Sequence, residues 1–294
     1  MKRPKSQRTA ILILLFVAAF GMTSLAIWGG GRASVAKAQA KPKPAFEKTK
    51  FTPACENPSF PMPAPASAPA IDSLCGLAGT GGAGPEGVQD MVKNNFCAKG
   101  TPEEVTIDDL VGLQSKVVKA KPAINFGSAG SPGRAKGPTA NRAPLKKLGE
   151  GKLVTLSKVF VLIARQEGGE SVNCGKNVDN HAALHDIHIS LVSSPRVTNE
   201  CSSVVAEMSP HHRPDSWNHG NVAKVAAAKL PVRVTGQLYF DSSHFPCSGG
   251  KGKGQGNPKR KSLWEIHPIY KFEVCTADCD GDGTWVTLDK WAEQ

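Results

Sequence analysis

Between residues 153 and 275 apolar and polar side chains alternate one for one in several short runs. This period of two constrains the chain more than any other feature. In HDIHISLV (185–192), Ile187, Ile189 and Leu191 fall on one side, and Asp186, His188 and Ser190 on the other. LVTLSKVFVLIA (153–164), SSVVAEM (202–208), VRVTGQLYFD (232–241) and SLWEIHPIYKFEVC (262–275) carry the β-branched and aromatic residues of strands. A helix-type segment, NHGNVAKVAAAK (218–229), separates the third strand from the fourth and stops before Pro231. The order β-β-β-α-β-β predicts a mainly β chain. Its expected centre is an OB-like five-stranded Greek-key barrel over residues 148–275, with one helix between strands 3 and 4.

The blocks DIH (186–188), AEMSP (206–210), VTGQLYFDSSH (234–244) and WEIHP (264–268) resemble those of a group of exported bacterial OB-like proteins. That group carries D-x-H, E-x-P, V-x-G…F-D…H and E-L-H-P-V blocks in the same order. The resemblance covers about residues 150–275. This chain has Ile266 and Ile269 where the group tends to have Leu and Val, and it inserts KGKGQGNPKRK (251–261) before the fifth strand. The resemblance implies the fold and an exported location, and no reaction.

The net charge of +11 is unevenly placed. The first 40 residues hold six Lys/Arg and no acid, so more than half of the excess lies there and the rest of the chain is nearly balanced. Lys2, Arg3, Lys5 and Arg8 precede an uncharged run from Thr9 to Trp28. That is the basic and apolar order of an export signal, and the run is also long enough to anchor in the inner membrane. Ala38-Gln39-Ala40 offers a small-x-small cleavage site. Residues 1–40 therefore read as signal peptide or anchor, and the remainder as secreted, periplasmic or membrane-anchored. Residues 41–70 read as a Pro/Ala-rich linker. Residues 71–147 form a helical or irregular extension, with helices expected near 85–96 and 107–119. Residues 276–294 form an acidic tail that packs on the barrel.

Eight cysteines, Cys55, Cys75, Cys97, Cys174, Cys201, Cys247, Cys275 and Cys279, fit disulfides in an exported protein. No C-x-x-C pair occurs, which speaks against a redox dithiol and a zinc ribbon.

All eight histidines lie between residues 181 and 267. With the apolar side of each strand turned inward, Asp186, His188, Glu207, Asp241, Glu265 and His267 share the outer side, and His244 follows in a loop. On a half-exposed sheet such residues are expected to be solvated. If they converge, imidazole and carboxylate together suit zinc or general acid–base chemistry. His188, Glu207, His244, Glu265 and His267 are the metal candidates. Asp186, Tyr239 and Asp241 would add ligand contacts.

Asp278, Asp280, Asp282 and Asp289 follow the carboxylate spacing of an EF-type calcium loop, with Asp in place of Glu at the last position. Lys251, Lys253, Lys259, Arg260 and Lys261 make a basic loop suited to an anionic polymer. An aromatic share of 6% gives no strong nucleic-acid signal, and membrane contact is expected only through the N-terminal segment. The expected function is an exported, disulfide-stabilised binding or envelope-associated module of unknown partner. The alternatives are a metal-dependent hydrolase on the His/carboxylate set and a weak polyanion binder on the 251–261 loop.

Overall fold

The computed structural model describes residues 78–82, 84–126, 141–173, 185–210, 213–247 and 256–294. The export signal, the linker, Cys55, Cys75, Cys174, His181, His211, His212, Lys251 and Lys253 lie outside the described residues.

The elements run, in order, α1 (Pro85–Lys93), β1 (Glu103–Val105), α2 (Ile107–Lys119), α3 (Ala143–Leu148), β2 (Leu153–Glu167) and β3 (Asp186–Val192). They continue as β4 (Val204–Met208), α4 (His219–Ala228), β5 (Pro231–Phe240), β6 (Trp264–Ala277), β7 (Thr284–Thr287) and α5 (Leu288–Ala292). The strands form a seven-stranded mixed sheet in the order β1-β2-β3-β4-β6-β5, with β7 added to β6 and β2 also paired to β5. The β4–β6 and β1–β2 contacts are parallel, and the others are antiparallel.

Two irregularities shape this sheet. The register of β2 against β5 shifts between Leu156 and Val159, and Lys158 there takes a left-handed φ of 53°. An extra residue at such a point bends a strand. The bend lets the first half of β2 pair β5 while its second half pairs β3. On β6, register shifts opposite Gly236 keep Ile266, Ile269 and Phe272 across from Leu238, Gly236 and Val234. Strict alternation places Tyr270 inward with Ile266 and Phe272. The bulges bring Ile269 into the core as well, and the Tyr270 ring stacks on Phe96. Gly236 is required at this crossing, because a Cβ would come within 2.3 Å of the Pro268 carbonyl oxygen.

One face of the sheet is apolar and fully buried, with Ile187, Ile189, Leu191, Val204, Ala206 and Met208 on adjacent strands. Val222 and Val225 of α4 add to this core. The helix expected over 107–119 forms as α2, where Thr106 and Asp109 make a reciprocal capping box. It docks through Leu110 and Val117, while its Gln114 accepts a hydrogen bond from the Leu263 backbone N–H at 2.9 Å. Helix α1 is inverted. Gln89, Asp90, Lys93 and the following Asn94 are buried, while Met91 is 46% exposed.

Cys201 bridges Cys247, Cys275 bridges Cys279, and Cys97 is also disulfide-bonded. Such bonds persist in an oxidising environment, outside the cytoplasm. Among the described residues no helix is long and apolar enough to cross a membrane.

Candidate functional site

The side of the sheet opposite the apolar core carries the acidic and imidazole residues, and the register brings them together. His188 of β3 faces Glu207 of β4 directly, Ala206 pairs with Ile266, and Glu265 of β6 pairs with Tyr239 of β5. Asp186, His188, Glu207, Glu265, His267, Tyr239 and Asp241 thus occupy one continuous surface. That surface is not solvated: each of these residues is at most 1% exposed. The expectation of a half-exposed polar face is corrected here, because α1 and the turn after β2 cover it.

The cover is itself polar. Lys93 of α1 lies 2.6 Å from Glu170, in the turn after β2, and 3.6 Å from Glu207. Gln89 bonds Ser242 and Ser243, the Ser209 hydroxyl donates to Asn94, and Asn95 bonds Gln237. Arg260 comes in from the segment before β6, 2.6 Å from Glu265, 3.2 Å from Asp241 and 3.9 Å from Glu207. Arg260 is therefore a wholly buried counter-ion rather than a polyanion contact. Of its neighbours, the Lys259 backbone N–H bonds Glu200 and Lys261 is exposed.

At the centre, His188 Nε2 sits 3.3 Å from Asp186, 3.5 Å from Glu170 and 3.6 Å from Glu207. Its Nδ1 is 2.9 Å from the Asn257 carbonyl oxygen, so Nδ1 carries the donated proton. His267 Nδ1 lies 2.7 Å from Glu207 and 3.8 Å from Glu265, with its ring edge against Tyr239. His244 is off to one side, paired with Asp241. Two groups of ligand-type atoms result: Glu170, Asp186, His188 and Glu207, and Glu207, Glu265 and His267. Either arrangement could hold a metal ion.

Burial and charge act against each other throughout. Burial disfavours the imidazolium of His188, yet the carboxylates of Glu207, Glu170 and Asp186 hold it well above its usual range. Burial likewise opposes ionisation of Glu207, but His188, Lys93 and His267 hold its carboxyl well below the ordinary value. Glu265 goes the other way, pushed up to about 7 by burial and by the Glu207 charge against the opposing pull of Arg260.

Several fully buried atoms here lack a hydrogen-bond partner: both Asp186 oxygens, His188 Nε2, Glu207 Oε2, Glu265 Oε1, both His267 nitrogens and the Tyr239 hydroxyl. Buried polar groups rarely stay unsatisfied in such number. A cleft of about 410 Å³ beside α1 reaches Glu150 and Gln237 at the edge of the polar face, but none of the two ligand groups lines it.

The tail differs from its expectation. Asp278, Asp280 and Asp282 lie on an exposed hairpin turn between β6 and β7, closed by the Cys275–Cys279 bridge, and Asp289 sits in α5. Lys158 donates to the Asp280 and Gly281 carbonyls. These four carboxylates are not among the clusters with metal-ligand spacing found in the described residues. The preceding element is a strand, so the loop lacks the helix that would aim it.

Sequence reasoning missed Glu170 and Lys93, and gave Arg260 a polyanion contact in place of its buried pairing. The signal for Lys93 was the spacing Gln89, Asp90, Lys93, Asn94, a complete polar helix side. Comparison with protein families, curated proteins and solved structures finds no match to the chain.

Proposed function

We propose that this is an exported, disulfide-stabilised OB-like binding module that encloses a small charged ligand between its polar sheet face and α1. The ring of pairings β2-β3-β4-β6-β5 and back to β2, with the parallel β4–β6 contact, supports an OB-like barrel. The disulfides and the basic-then-apolar N-terminus support export, with release to the periplasm or medium or retention through residues 9–28. The block pattern of residues 186–268 supports kinship with the exported OB-like group.

The observation that carries the binding reading is the set of buried polar atoms without a hydrogen-bond partner gathered on one face of the sheet. A hydrolase on the same residues is less well supported. Lys93 and Arg260 already engage Glu207 and Glu265, the carboxylates a catalytic base would need free.

Native and denaturing mass spectrometry of the full chain, exported under its own N-terminal segment, test the reading. The native mass should exceed the oxidised polypeptide by a bound species that denaturation releases. A native mass equal to the polypeptide, with no thermal shift on adding divalent cations or small anions, overturns it.

A further inference from the structure

The four groups around His188 have the spacing of a metal-ligand set. A tetrahedral zinc site with bonds of about 2.0–2.2 Å has ligand-to-ligand edges of about 3.3–3.6 Å. The edges from His188 Nε2 to Asp186, Glu170 and Glu207 are 3.3, 3.5 and 3.6 Å. All four ligand atoms lie within 4.8 Å of one another. His188 Nε2, both Asp186 oxygens and Glu207 Oε2 are fully buried and have no hydrogen-bond partner.

The second shell is built as well. His188 Nδ1 donates to the Asn257 carbonyl, which leaves Nε2 as the nitrogen turned to the carboxylates. A bound cation would take the place of the Nε2 proton among them.

Glu207 belongs to both groups of ligand-type atoms, so one ion is expected rather than two.

We infer that Glu170, Asp186, His188 and Glu207 form a single tetrahedral site for a divalent transition metal, zinc by its geometry and its imidazole donor. This rests on the chamber reading above and names its occupant. Glu265 and His267 then belong to the surroundings of Glu207 rather than to the ion. The coordinating set thus differs from the one the strand pattern suggested: Glu170 and Asp186 enter, while His244, Glu265 and His267 leave.

The test is elemental analysis of the exported full chain, with cobalt exchanged for zinc to read geometry from the visible spectrum. One equivalent of metal and an intense tetrahedral cobalt spectrum are expected. His188→Ala should abolish both, and His267→Gln should retain both. Glu170→Gln alters the partly exposed ligand and keeps an amide oxygen within reach of Lys93, and its fold is checked by thermal midpoint. It should weaken binding by more than the roughly 100-fold that outer partners cost. A folded wild type without metal, or metal that survives in Glu170→Gln and His188→Ala, overturns the site. If native mass spectrometry instead shows a retained non-metal species, the metal site falls while the chamber reading stands. A chain that retains nothing loses both.

Discussion

The two faces of the sheet are equally buried and are stabilised in opposite ways. On one, Ile189, Leu191, Val204 and Ala206 meet other apolar groups, and removal from water alone favours the contact. On the other, Asp186, His188, Glu207 and Glu265 are just as dry. There each charge is tolerable only because an opposite one, from α1 or from the segment before β6, is delivered to it. The apolar face tolerates imperfect neighbours, whereas the polar face is intolerant of a missing one.

That contrast sets the largest expected effect. Arg260→Ala strands the fully buried Glu265 and Asp241, and breaking a buried pair from one side costs about 3–5 kcal/mol. Ile189→Val on the opposite face should cost only about 0.5–1.5 kcal/mol. Urea denaturation of both variants, oxidised and side by side, checks the ratio. If Arg260→Ala costs no more than Ile189→Val, the polar face is wetter than its geometry indicates.

The next effect is smaller and concerns the cover. Gln89 accepts from both the backbone N–H and the hydroxyl of Ser242 and donates to Ser243. Gln89→Leu makes α1 more apolar yet removes three hydrogen bonds to Ser242 and Ser243. A loss of about 1–3 kcal/mol is expected, again read by denaturant midpoint. A stabilising outcome would mean that α1 does not sit on the polar face in solution.

Asp90 gives a pH signature whose sign is opposite to that of a salt-bridged carboxylate. Burial raises its carboxyl from 3.8 to about 7, against the attraction of Lys93 and the Ser171 hydroxyl. A folded pKa above the unfolded one means the folded state holds the extra proton between those values. Its contribution is therefore complete below pH 3.8 and is lost as pH rises through about 7. Asp90→Asn keeps the neutral form at every pH. It should be more stable than wild type at pH 8 and nearly equal to it at pH 4, measured by thermal midpoint across that range. An equal midpoint difference at both ends would remove Asp90 from the buried set.

How much of this was legible follows from the same contrast. The period of two correctly grouped Asp186, His188, Glu207, Glu265 and His267 on one side, because parity along a strand is a local property. It said nothing about the cover, since a polar face under water and one under a polar helix read alike. Ile269 was missed as a core residue because bulges reset parity, and only Gly236 hinted at them. Arg260 was hidden by its neighbours: in a run of Lys and Gly, one inward cation looks like the others. Glu170 sits in a Gly-Gly-Glu-Ser turn with no period at all, so its ligand position depends on tertiary placement.

The smallest effect tests α1 from its outer side. A helix on a sheet normally buries its apolar residues, so by pattern alone Met91→Lys would lose a core contact and a few kcal/mol. Here Met91 faces outward at 46% exposure while its polar neighbours are inside. The expected change is within about 0.5 kcal/mol, as for ordinary surface positions. Set beside Gln89→Leu, it forms a paired experiment on one helix turn. If the apolar-to-charged change is silent and the polar-to-apolar change is costly, α1 lies with its polar side on the acidic face. If the costs are reversed, α1 has turned over, Lys93 is withdrawn from Glu170 and Glu207, and the polar face loses both its lid and that counter-ion.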